Sequence, residues 1–576
     1  MKSSNELRTL LKSIDHKGYP AYKSLAGAYQ FNAYQLFIDH VQGDPFASPS
    51  SLHVAIPLKS AGFPEAYYAS DCSRIALQDH LIRLFSAQFE DFNFKAKGSG
   101  KSGLLTTTRC GQEVLERSAC QITSDRLICR FQVGFPAFGR TINSGELEKI
   151  LFDFLPKCID NSFFYRRLNP DKVKDAVFLA EDQEYIRNWL KTEHLCAFVA
   201  NGSILPRKSG ISDLPLNDSV PFRSPASMDR IVQLPHYGEI HGMAIPQGIT
   251  LIVGGGYHGK STLLEALQTG VYNHIRGDGR EYVITESTAV KLRAEDGRSI
   301  RNVDISMFIN DLPNKKDTSS FSTPDASGST SQAAGVIEGI EAGTHLFLVD
   351  EDTSATNFMV RDDFMQQIIS RDKEPITPFL ERARDLYEQA GISTILVAGS
   401  SGAFFYIADQ ILQMDCYRPV DITEKVKGLC SQYKEPRTKA PEFHIPEFHR
   451  MLSRCVRRKA DSRQQNNGHH RESSRSEHMK LKFFGKDSFS VDKETVDLRY
   501  VEQLADTEQT SGIAYLLRYA LEQNLYGAKT VRETVTTLFQ LLDKEGWKPF
   551  CSSYIPCGLA VPRRQELFAC LNRYRG

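Results

Sequence analysis

A glycine-rich run that ends in a lysine, a serine and a threonine, GGGYHGKST, occupies residues 254–262. Its spacing fits the phosphate-binding pattern G-x-x-x-x-G-K-[ST], in which backbone N–H groups and a helix N-terminus cradle phosphate oxygens. In that pattern Lys260 reaches the β- and γ-phosphates of ATP, and the Ser261 hydroxyl ligates Mg²⁺. His258 either shapes this loop or acts in catalysis. The residues predicted to contact ATP are Gly254, Gly255, Gly256, Tyr257, His258, Gly259, Lys260, Ser261 and Thr262.

Two neighbouring acids, Asp350 and Glu351, follow the apolar run HLFLV further along the chain. Asp350 is predicted to anchor Mg²⁺. Glu351 is predicted to polarise the attacking water as a general base, with Lys260 as the other catalytic group. An acid at a strand end is often only a turn residue, but the phosphate-binding pattern upstream favours the catalytic interpretation. Together the two motifs predict an enzyme that binds ATP with Mg²⁺ and hydrolyses it.

These motifs need elements that bring them together, and the middle of the chain contains candidates. Between residues 236 and 420, the strand-like runs ITLIV, EYVIT, HLFLV, STILVA and QILQM alternate with helical stretches. Such alternation is typical of an α/β layer built on a mostly parallel sheet. We predict a mixed α+β N-terminal domain at 1–235, an ATPase core at 236–420, a basic polar linker at 421–479 and a mostly helical C-terminal region at 480–576.

The composition sets broad limits on the class of protein. The chain has 576 residues, of which 41% are hydrophobic and 24% charged, and its formal net charge is zero. These values are ordinary for a globular protein, so only local patches can indicate a nucleic-acid partner. No apolar run reaches the about 18 residues that a membrane span requires. Because the twelve cysteines form no CxxC pair, we expect reduced thiols in a cytoplasmic protein and no zinc site.

A third motif lies between the two nucleotide motifs: residues 327–332 read SGSTSQ and open a further helix. Phosphate loop, variant Ser-Gly-x-x-Gln signature, acidic strand and the segment DTSATN follow one another in an order that resembles the ATP-binding cassettes. More closely, VGGGYHGKSTLLEALQTGVYNHI, FSTPDASGSTSQAA, LFLVDEDTSATNFM and STILVAGSSGAFFYIAD resemble the family of ATPases of the ABC class. GSGKSG and NGSILPRKSG on the N-terminal side and CLNRYR on the C-terminal side extend the resemblance over nearly the whole chain.

The resemblance implies an α/β fold with an ABC-type P-loop core and a head-to-tail homodimer. In such a dimer the signature residues Ser327, Gly328 and Gln332 would complete the ATP site at Lys260 of the partner subunit. The resemblance also implies an aromatic side chain that precedes the phosphate loop and stacks on adenine. Tyr237 is our candidate for that role, although an aromatic residue there could equally belong to a core.

Two parts of the family pattern are altered or absent in this chain. Cassettes carry a switch histidine after the fourth strand, where this sequence reads VAGSS at residues 397–401. Ser400 could donate a hydrogen bond there but cannot carry a positive charge, so we expect slow hydrolysis. No Q-loop glutamine is evident, and residues 304–306 are our guess for that region.

Two basic segments are candidate contacts for RNA or another single-stranded nucleic acid. The loop at 95–101 places lysines beside Phe92 and Phe94, a mixture that suits single strands, although a plain solvated loop is the alternative. The segment at 450–486 suits a phosphate backbone, or is a solvated linker. Its basic residues are Arg450, Arg454, Arg457, Arg458, Lys459, Arg463, Arg471, Arg475, Lys480, Lys482 and Lys486.

The hypothesis that follows is a cytoplasmic homodimeric ATPase that couples slow ATP hydrolysis to RNA binding, without membrane contact. One alternative is an ATPase that remodels a protein partner. Another is a nucleotide-gated scaffold with negligible hydrolysis, which the missing histidine favours and Glu351 disfavours.

Overall fold

The N-terminal part of the chain forms a mainly antiparallel sheet with helices packed against it. The computed structural model describes residues 1–361, 373–433, 440–452 and 478–576. The strands of this part are β1 (Lys2–Ser3), β2 (Gly27–Gln30), β3 (Gln35–His40), β4 (Ser50–Pro57), β5 (Leu105–Thr106), β6 (Glu113–Val114), β7 (Cys120–Ile122), β8 (Arg126–Val133), β9 (Ala137–Phe138) and β10 (Thr141–Ile142). Its helices are α1 (Ser4–Ile14), α2 (Leu58–Ala61), α3 (Asp71–Phe92), α4 (Ser144–Lys149) and α5 (Leu155–Phe163).

Seven strands form the main N-terminal sheet, in the order β1-β2-β3-β4-β8-β5 with β7 beside β8. Aromatic side chains join this sheet to α3 and α5. The ring of Phe85 meets those of Phe131 and Phe163 at centroid distances of 5.7 and 4.8 Å. Edge-to-face and tilted contacts of this kind are favourable for aromatic pairs, so this part has a core of its own.

The middle of the chain contains the elements that carry the nucleotide motifs. Its strands are β11 (Leu195–Ala200), β12 (Arg207–Ser209), β13 (Ser212–Pro215), β14 (Asp229–Leu234), β15 (Gly238–Pro246), β16 (Ile249–Val253), β17 (Asn273–His274), β18 (Val283–Thr285), β19 (Val290–Leu292), β20 (Arg298–Val303), β21 (Phe321–Ala326), β22 (Leu346–Asp350), β23 (Ser393–Val397), β24 (Gln410–Asp415) and β25 (Arg418–Asp421). Its helices are α6 (Pro170–Thr192), α7 (Lys260–Thr269), α8 (Gly328–Glu341), α9 (Thr356–Met359), α10 (Phe379–Ala390) and α11 (Thr423–Cys430).

Six of these strands form the central sheet, in the order β19-β22-β23-β16-β24-β25. All neighbours are parallel except β24 and β25. Strands buried on both faces read as mostly apolar runs, which accounts for ITLIV, HLFLV, STILVA and QILQM. This mainly parallel sheet confirms the predicted α/β class.

A second sheet is antiparallel and has the order β14-β15-β11-β18. β11 pairs with β15 on one side and with β18 on the other, so the run EYVIT belongs here and not to the central sheet. The predicted boundary between the N-terminal and ATPase regions, at 235, falls between β14 and β15. Residues 195–234 therefore share a layer with the ATPase region, because the β11–β15 hydrogen bonds cross that boundary.

The C-terminal part is mostly helical, as predicted, and adds a small antiparallel sheet. Its strands are β26 (Leu481–Phe483), β27 (Ser488–Val491) and β28 (Glu494–Asp497), and its helices are α12 (Thr507–Glu522), α13 (Leu525–Ala528), α14 (Val531–Glu545) and α15 (Arg564–Arg573). Capping boxes that start at Asp506 and Thr530 define the beginnings of α12 and α14. Across the described ranges, none of the helices has the length and apolar character needed to cross a bilayer.

The predicted basic segment at 450–486 is described only at its two ends. Arg450 is 9% exposed, and its Nε donates to Glu341 Oε2 at 2.8 Å, so this cation is part of a buried ion pair and not of an open patch. Lys480, Lys482 and Lys486 are exposed. The remaining predicted basic residues lie outside the described residues: Arg454, Arg457, Arg458, Lys459, Arg463, Arg471 and Arg475.

Candidate functional site

The phosphate loop joins β16 to α7 and depends on left-handed backbone positions. Gly254, Tyr257 and Gly259 have φ angles of +142°, +63° and +97°. At Gly254 a side-chain carbon would lie 2.5 Å from the carbonyl oxygen of Met414, so glycine lets the loop pass close to β24. Tyr257 adopts its left-handed angle without being glycine, and its side chain is fully exposed.

The start of α7 offers the donors that a triphosphate needs. Gly259 is the N-cap residue and no side chain caps the helix, so its first N–H groups can bind an anion. Lys260 Nζ donates to the carbonyl oxygens of Gly254 (2.6 Å) and Gly255 (2.8 Å), which places the ammonium across the loop. Ser261 is exposed at the same helix end. The N–H groups of α7, Lys260 and Ser261 together fit a nucleoside triphosphate with its Mg²⁺ ion.

Asp350 and Glu351 stand at the carboxyl end of β22, which β23 separates from β16. The three strands are parallel, so their carboxyl ends meet at one edge of the sheet and bring the acids to the side of the phosphate loop. The carboxylate of Asp350 is buried and accepts the N–H of Asp352 at 3.1 Å. That contact orients the acid that the sequence predicts as the Mg²⁺ anchor.

The carboxylate of Glu351 is held by the turn that follows β23. Its Oε2 accepts the N–H groups of Gly399 (2.7 Å) and Ser400 (3.0 Å), and its Oε1 accepts the Ser400 hydroxyl at 2.5 Å. Partial burial opposes ionisation, but these hydrogen bonds outweigh it and keep the pKa of Glu351 below its ordinary value. Ser400 thus occupies the place where cassettes carry a histidine, and it contacts the predicted base directly.

The signature residues Ser327 and Gly328 begin α8. Ser327 is the N-cap residue, is exposed, and forms its hydrogen bonds within its own turn, to Ser329 and Thr330. A side-chain carbon at Gly328 would lie 3.3 Å from Asp296, so the glycine permits a close approach of the segment after β19. Both residues are therefore presented at a helix N-terminus, as binding to a phosphate would require.

Gln332 differs from its predicted role as a nucleotide contact. Its side chain is buried; Nε2 donates to the Ser354 hydroxyl (2.9 Å) and Oε1 accepts the N–H of Ala355 (2.9 Å). Both ends of the amide are therefore used to link α8 to the segment DTSATN. Gln332 therefore positions the signature helix against that segment within its own subunit.

Residues 293–297, in the stretch VKLRAEDGRS that resembles the family but received no predicted role, lie between the signature helix and the acidic strand. They follow β19, the neighbour of β22 in the central sheet. The N–H of Ala294 donates to the Thr353 carbonyl (3.0 Å), and the N–H of Glu295 donates to the Ser331 hydroxyl (2.8 Å). The guess for the Q-loop region, residues 304–306, lies in a different place: Ile305 follows β20 and is fully buried in the core. In the sequence, the run VKL followed by the charged stretch RAEDGR could have indicated a strand that ends at this segment.

Tyr237 is placed away from the phosphate loop. It lies in the turn between β14 and β15, where its hydroxyl donates to Asp175 and its ring faces the Arg276 guanidinium at 4.6 Å. These partners belong to α6 and to the segment after β17, so the expected stacking on adenine is not supported. Strand pairing explains the difference, because the β14–β15 turn is directed toward α6.

A largely apolar cavity of about 350 Å³ adjoins the phosphate loop and is a better candidate for the adenine pocket. Gly259 and Thr262 form its wall on the loop side. Phe222 and Met414 are buried in it, whereas Tyr417 is half exposed and contacts the loop closely enough that a side-chain carbon at Gly259 would lie 3.0 Å from its ring. Sequence reasoning missed both aromatics, because neither precedes the loop at the spacing usual in cassettes.

His258 ties the phosphate loop to the turn after β24. Its Nδ1 accepts the N–H of Cys416 (3.0 Å), and its carbonyl oxygen accepts the N–H of Tyr417 (3.1 Å). These contacts favour the loop-shaping role over the catalytic one, since the ring nitrogen that accepts is engaged with backbone.

The C-terminal part contacts three elements of the nucleotide region. Gln503 Nε2 donates to the carbonyl oxygens of Gln268, in the last turn of α7, and of Ala289, just before β19, both at 3.1 Å. Arg532 donates to the carbonyl oxygens of Ile340 (3.2 Å) and Glu341 (2.8 Å), which end the signature helix α8. A cation at a helix C-terminus is favourable, so these contacts stabilise the far end of α8.

The N-terminal loop at 95–101 lies among exposed aromatic side chains. The N–H of Ser99 donates to the Ala137 carbonyl (2.7 Å) and the N–H of Lys101 to the Pro45 carbonyl (2.9 Å), which brings the loop beside Phe46 and Phe138. These two rings are each 63% exposed, and Phe94 is 48% exposed. Lys95 Nζ lies 5.0 Å from the Phe92 ring centroid. Cations and exposed rings therefore share one surface.

Three separate parts of the chain match known protein families. Residues 169–451 match the P-loop domain of ABC ATPases, and residues 4–166 match the N-terminal domain of ATPases of the ABC class. Residues 480–576 match the MRB1590 C-terminal domain. The matched ranges place residues 169–235 with the P-loop domain, in line with the sheet that joins them.

Individual relatives are more distant. The curated protein MJ1628 of Methanocaldococcus jannaschii, named as uncharacterized, is 29% identical over 257 residues, which cover 42% of this chain and 55% of that protein. The chain thus spans about half the length of the curated relative it matches. Among solved structures, CbiO1 from Clostridium perfringens, part of the ABC transporter complex CbiONQ, is 11% identical and covers 41% of this chain and 91% of its own, with a TM-score of 0.25. The cassette MJ1267 of an ABC transporter is likewise 11% identical, covering 42% and 97%, with a TM-score of 0.25.

Proposed function

The chain belongs to the ATPases of the ABC class, and from that premise we propose that it binds ATP with Mg²⁺ at residues 254–262 and hydrolyses it. One observation carries the proposal: the phosphate loop, the acids after β22 and the turn at 399–401 after β23 leave the central sheet at the same edge. Ligands of parallel α/β sheets bind at the carboxyl ends of the strands.

Binding requires Lys260 to exchange the carbonyl oxygens of Gly254 and Gly255 for oxygens of the β- and γ-phosphates. The N–H groups at the start of α7 hold the same phosphates. Ser261 and Asp350 are the residues that would hold Mg²⁺, which when bound neutralises charge on the transferring phosphate.

Hydrolysis requires Glu351 to accept a proton from the water that attacks the γ-phosphorus. As the new P–O bond forms, the bond to the β–γ bridging oxygen breaks and ADP departs. The hydrogen bonds from residues 399 and 400 keep Glu351 ionised, and because the Ser400 hydroxyl uses one of the two lone pairs of Oε1, that oxygen retains a lone pair for the proton. Ser400 supplies no positive charge, so slow turnover is part of the proposal.

Hydrolysis and ATP binding by the purified full chain test this assignment. Lys260→Ala is expected to lose both, whereas Glu351→Gln keeps binding and loses hydrolysis by about 100-fold or more. Lys425→Ala, at an exposed lysine of α11, is the matched control and should behave as the unaltered chain does. Hydrolysis that survives in Lys260→Ala and Glu351→Gln would overturn the proposal. ATP binding without any hydrolysis by the unaltered chain would identify a nucleotide-gated scaffold instead.

The proposed active unit is a head-to-tail homodimer. The exposed Ser327 and the neighbouring Gly328, at the N-terminus of α8, would contact the γ-phosphate bound at Lys260 of the partner subunit. Light scattering of Glu351→Gln with ATP and Mg²⁺ should detect a dimer that Ser327→Arg abolishes while ATP binding persists. A monomer under these conditions, or a dimer unaffected by Ser327→Arg, would contradict this arrangement.

We propose further that the protein couples ATP hydrolysis to the binding of single-stranded nucleic acid, with RNA preferred. The surface around residues 95–101 supports this, since bases stack on exposed rings while lysines meet the phosphates. Affinity for a single-stranded RNA oligonucleotide, measured by fluorescence anisotropy, should fall in Phe46→Ala and Phe138→Ala, and its dependence on salt should weaken in Lys97→Ala. Tyr185→Ala, at an exposed aromatic side chain of α6 outside both candidate segments, is the control. Unchanged affinity in all three variants would refute the RNA surface and favour a protein partner.

A further inference from the structure

Beside the phosphate loop, three side chains that commonly ligate metals converge: His258 of the loop and the adjacent residues Asp415 and Cys416 at the end of β24. One ligand atom each of His258, Asp415 and Cys416 lie within 4.8 Å of one another. His258 Nδ1 and Asp415 Oδ1 are 3.4 Å apart. The sequence predicts no zinc site, because its cysteines form no CxxC pair and nothing in the spacing relates the loop to the end of β24.

The chemistry of the three donors selects a class of ion. An imidazole nitrogen, a carboxylate oxygen and a thiolate sulfur together suit Zn²⁺, which takes four such ligands in a tetrahedron. Ions that prefer only oxygen, such as Mg²⁺ and Ca²⁺, do not fit a set in which two of three donors are nitrogen and sulfur. Three protein ligands leave the fourth position to water, as in open zinc sites.

We propose that His258, Asp415 and Cys416 form a binding site for one zinc-class ion, distinct from the Mg²⁺ expected at Ser261 and Asp350. The site connects the phosphate loop to the turn between β24 and β25. It goes beyond ATP hydrolysis, because it assigns a transition-metal ligand set that hydrolysis does not require.

The backbone around the site holds the ligands in place before any ion binds. The N–H of Tyr417 donates to the His258 carbonyl oxygen at 3.1 Å, and Gly254 packs against the carbonyl of Met414. The loop and the turn are thus already held together on both sides of the three ligands. Ligation through His258 Nδ1 exchanges the hydrogen bond from the Cys416 N–H for a bond to the metal.

Zn²⁺ affinity of the full chain, measured in reducing buffer without nucleotide by competition with a chromogenic chelator, tests the site. Cys416→Ser and Asp415→Asn should each weaken the tightest Zn²⁺ binding at least tenfold, since even loss of a group behind the ligands costs about 10–100-fold. Cys430→Ser, at another partly exposed cysteine, is the control and should keep the affinity of the unaltered chain. Equal affinity in Cys416→Ser and Cys430→Ser would overturn the proposal.

Co²⁺ in place of Zn²⁺ provides a second readout that does not depend on affinity. A thiolate ligand gives Co²⁺ an intense charge-transfer absorption, which Cys416→Ser should lose and Cys430→Ser should keep. Because Cys416 is exposed, its replacement leaves the core intact, and far-ultraviolet circular dichroism of the variant checks this. A band that persists in Cys416→Ser would place the ion on another cysteine and overturn the site. Since no nucleotide is present, failure here leaves the ATPase proposal unaffected.

Discussion

At the scale of single residues, the contact between Glu351 and Ser400 connects a pKa to a reaction. We expect Ser400→Ala to raise the pKa of Glu351 toward its ordinary value, because a donor to the charged form is lost. Glu351 acts as a base only when ionised, so hydrolysis falls as pH falls through this pKa. A higher pKa therefore moves the acidic limb of the pH–rate profile to higher pH.

The control for this experiment is the neighbouring serine. Ser401 Oγ accepts the Ala403 N–H at 3.4 Å. Ser401→Ala should leave the acidic limb in place, and an unshifted limb in Ser400→Ala would show that the Ser400 hydroxyl does not influence the base.

Two glycines of the phosphate loop give a matched pair for stability. Gly254 has φ +142° and would place a side-chain carbon 2.5 Å from the Met414 carbonyl, whereas a carbon at Gly256 would meet nothing within 4 Å. We expect Gly254→Ala to cost about 1–3 kcal/mol, because it combines a left-handed backbone with a clash. Gly256→Ala should change the thermal midpoint little. Equal midpoints for the two variants would contradict the close approach to β24.

At the residue level, the strongest predictions are those whose chemistry is local in sequence. Lys260 and Ser261 are predicted from an eight-residue pattern, and Glu351 from its position after an apolar strand. Tyr237 and Gln332 were assigned by position alone, and their partners Asp175 and Ser354 are set by packing between elements, which spacing cannot show.

At the scale of elements, the end of the signature helix α8 is anchored by a buried ion pair. Arg450 bonds Glu341, which is 1% exposed, and also donates to the Arg301 carbonyl (3.1 Å). We expect Arg450→Met to cost about 3 kcal/mol or more, because it leaves a buried carboxylate without its partner. Chemical denaturation measures this, with exposed Lys482→Ala as the control, expected within about 0.5 kcal/mol of the unaltered chain. A similarly small effect for Arg450→Met would show that the ion pair with Glu341 adds little stability. It would favour the sequence prediction that Arg450 belongs to the basic segment at 450–486.

Strands were easier to predict than their arrangement. The runs ITLIV, HLFLV, STILVA and QILQM are mostly apolar because the central sheet is covered on both faces, so composition alone identifies them. Composition does not say which sheet a strand joins, and EYVIT belongs to the antiparallel one. The same limit applies to the guess at 304–306, since the sequence does not show that the segment after β19, the neighbour of β22, contacts the signature helix and the segment after the acidic strand.

At the scale of the whole molecule, a buried arginine joins the N-terminal part to the C-terminal part. Arg117 is 2% exposed and bonds Asp506 and Glu508 at 2.7 Å each. Burial raises the pKa of Glu508 above its ordinary value, and Arg117 counteracts that rise. We expect Arg117→Met to cost about 3–5 kcal/mol at neutral pH.

The pH dependence of that loss has a definite sign. Without Arg117 the pKa of Glu508 rises further, so the folded protein holds a proton that the unfolded chain releases, and stability falls as pH rises through this window. The loss in Arg117→Met should therefore be smaller near pH 5 than near pH 8. Adding Glu508→Gln to Arg117→Met should recover part of the stability, and a pH-independent loss with no recovery would exclude this account.

The predicted boundary at 235 lies where the alternating strand and helix runs of the ATPase core begin. In the structure, β11 pairs across that position with β15. Sheet pairing between distant segments leaves no local mark in the sequence.

The contacts of Gln503 and Arg532 have a consequence for how the protein is made. Gln503 is 235 positions from Gln268, and Glu508 is 391 positions from Arg117. During synthesis the phosphate loop, the acids and the signature helix leave the ribosome well before these partners do. The backbone carbonyls at the ends of α7 and α8 therefore lack these hydrogen-bond donors until Gln503 and Arg532 have been translated. Contacts between residues so far apart in sequence form slowly. We therefore expect nascent chains halted before residue 500 to expose an unfinished nucleotide region and to depend on chaperones until α14 emerges.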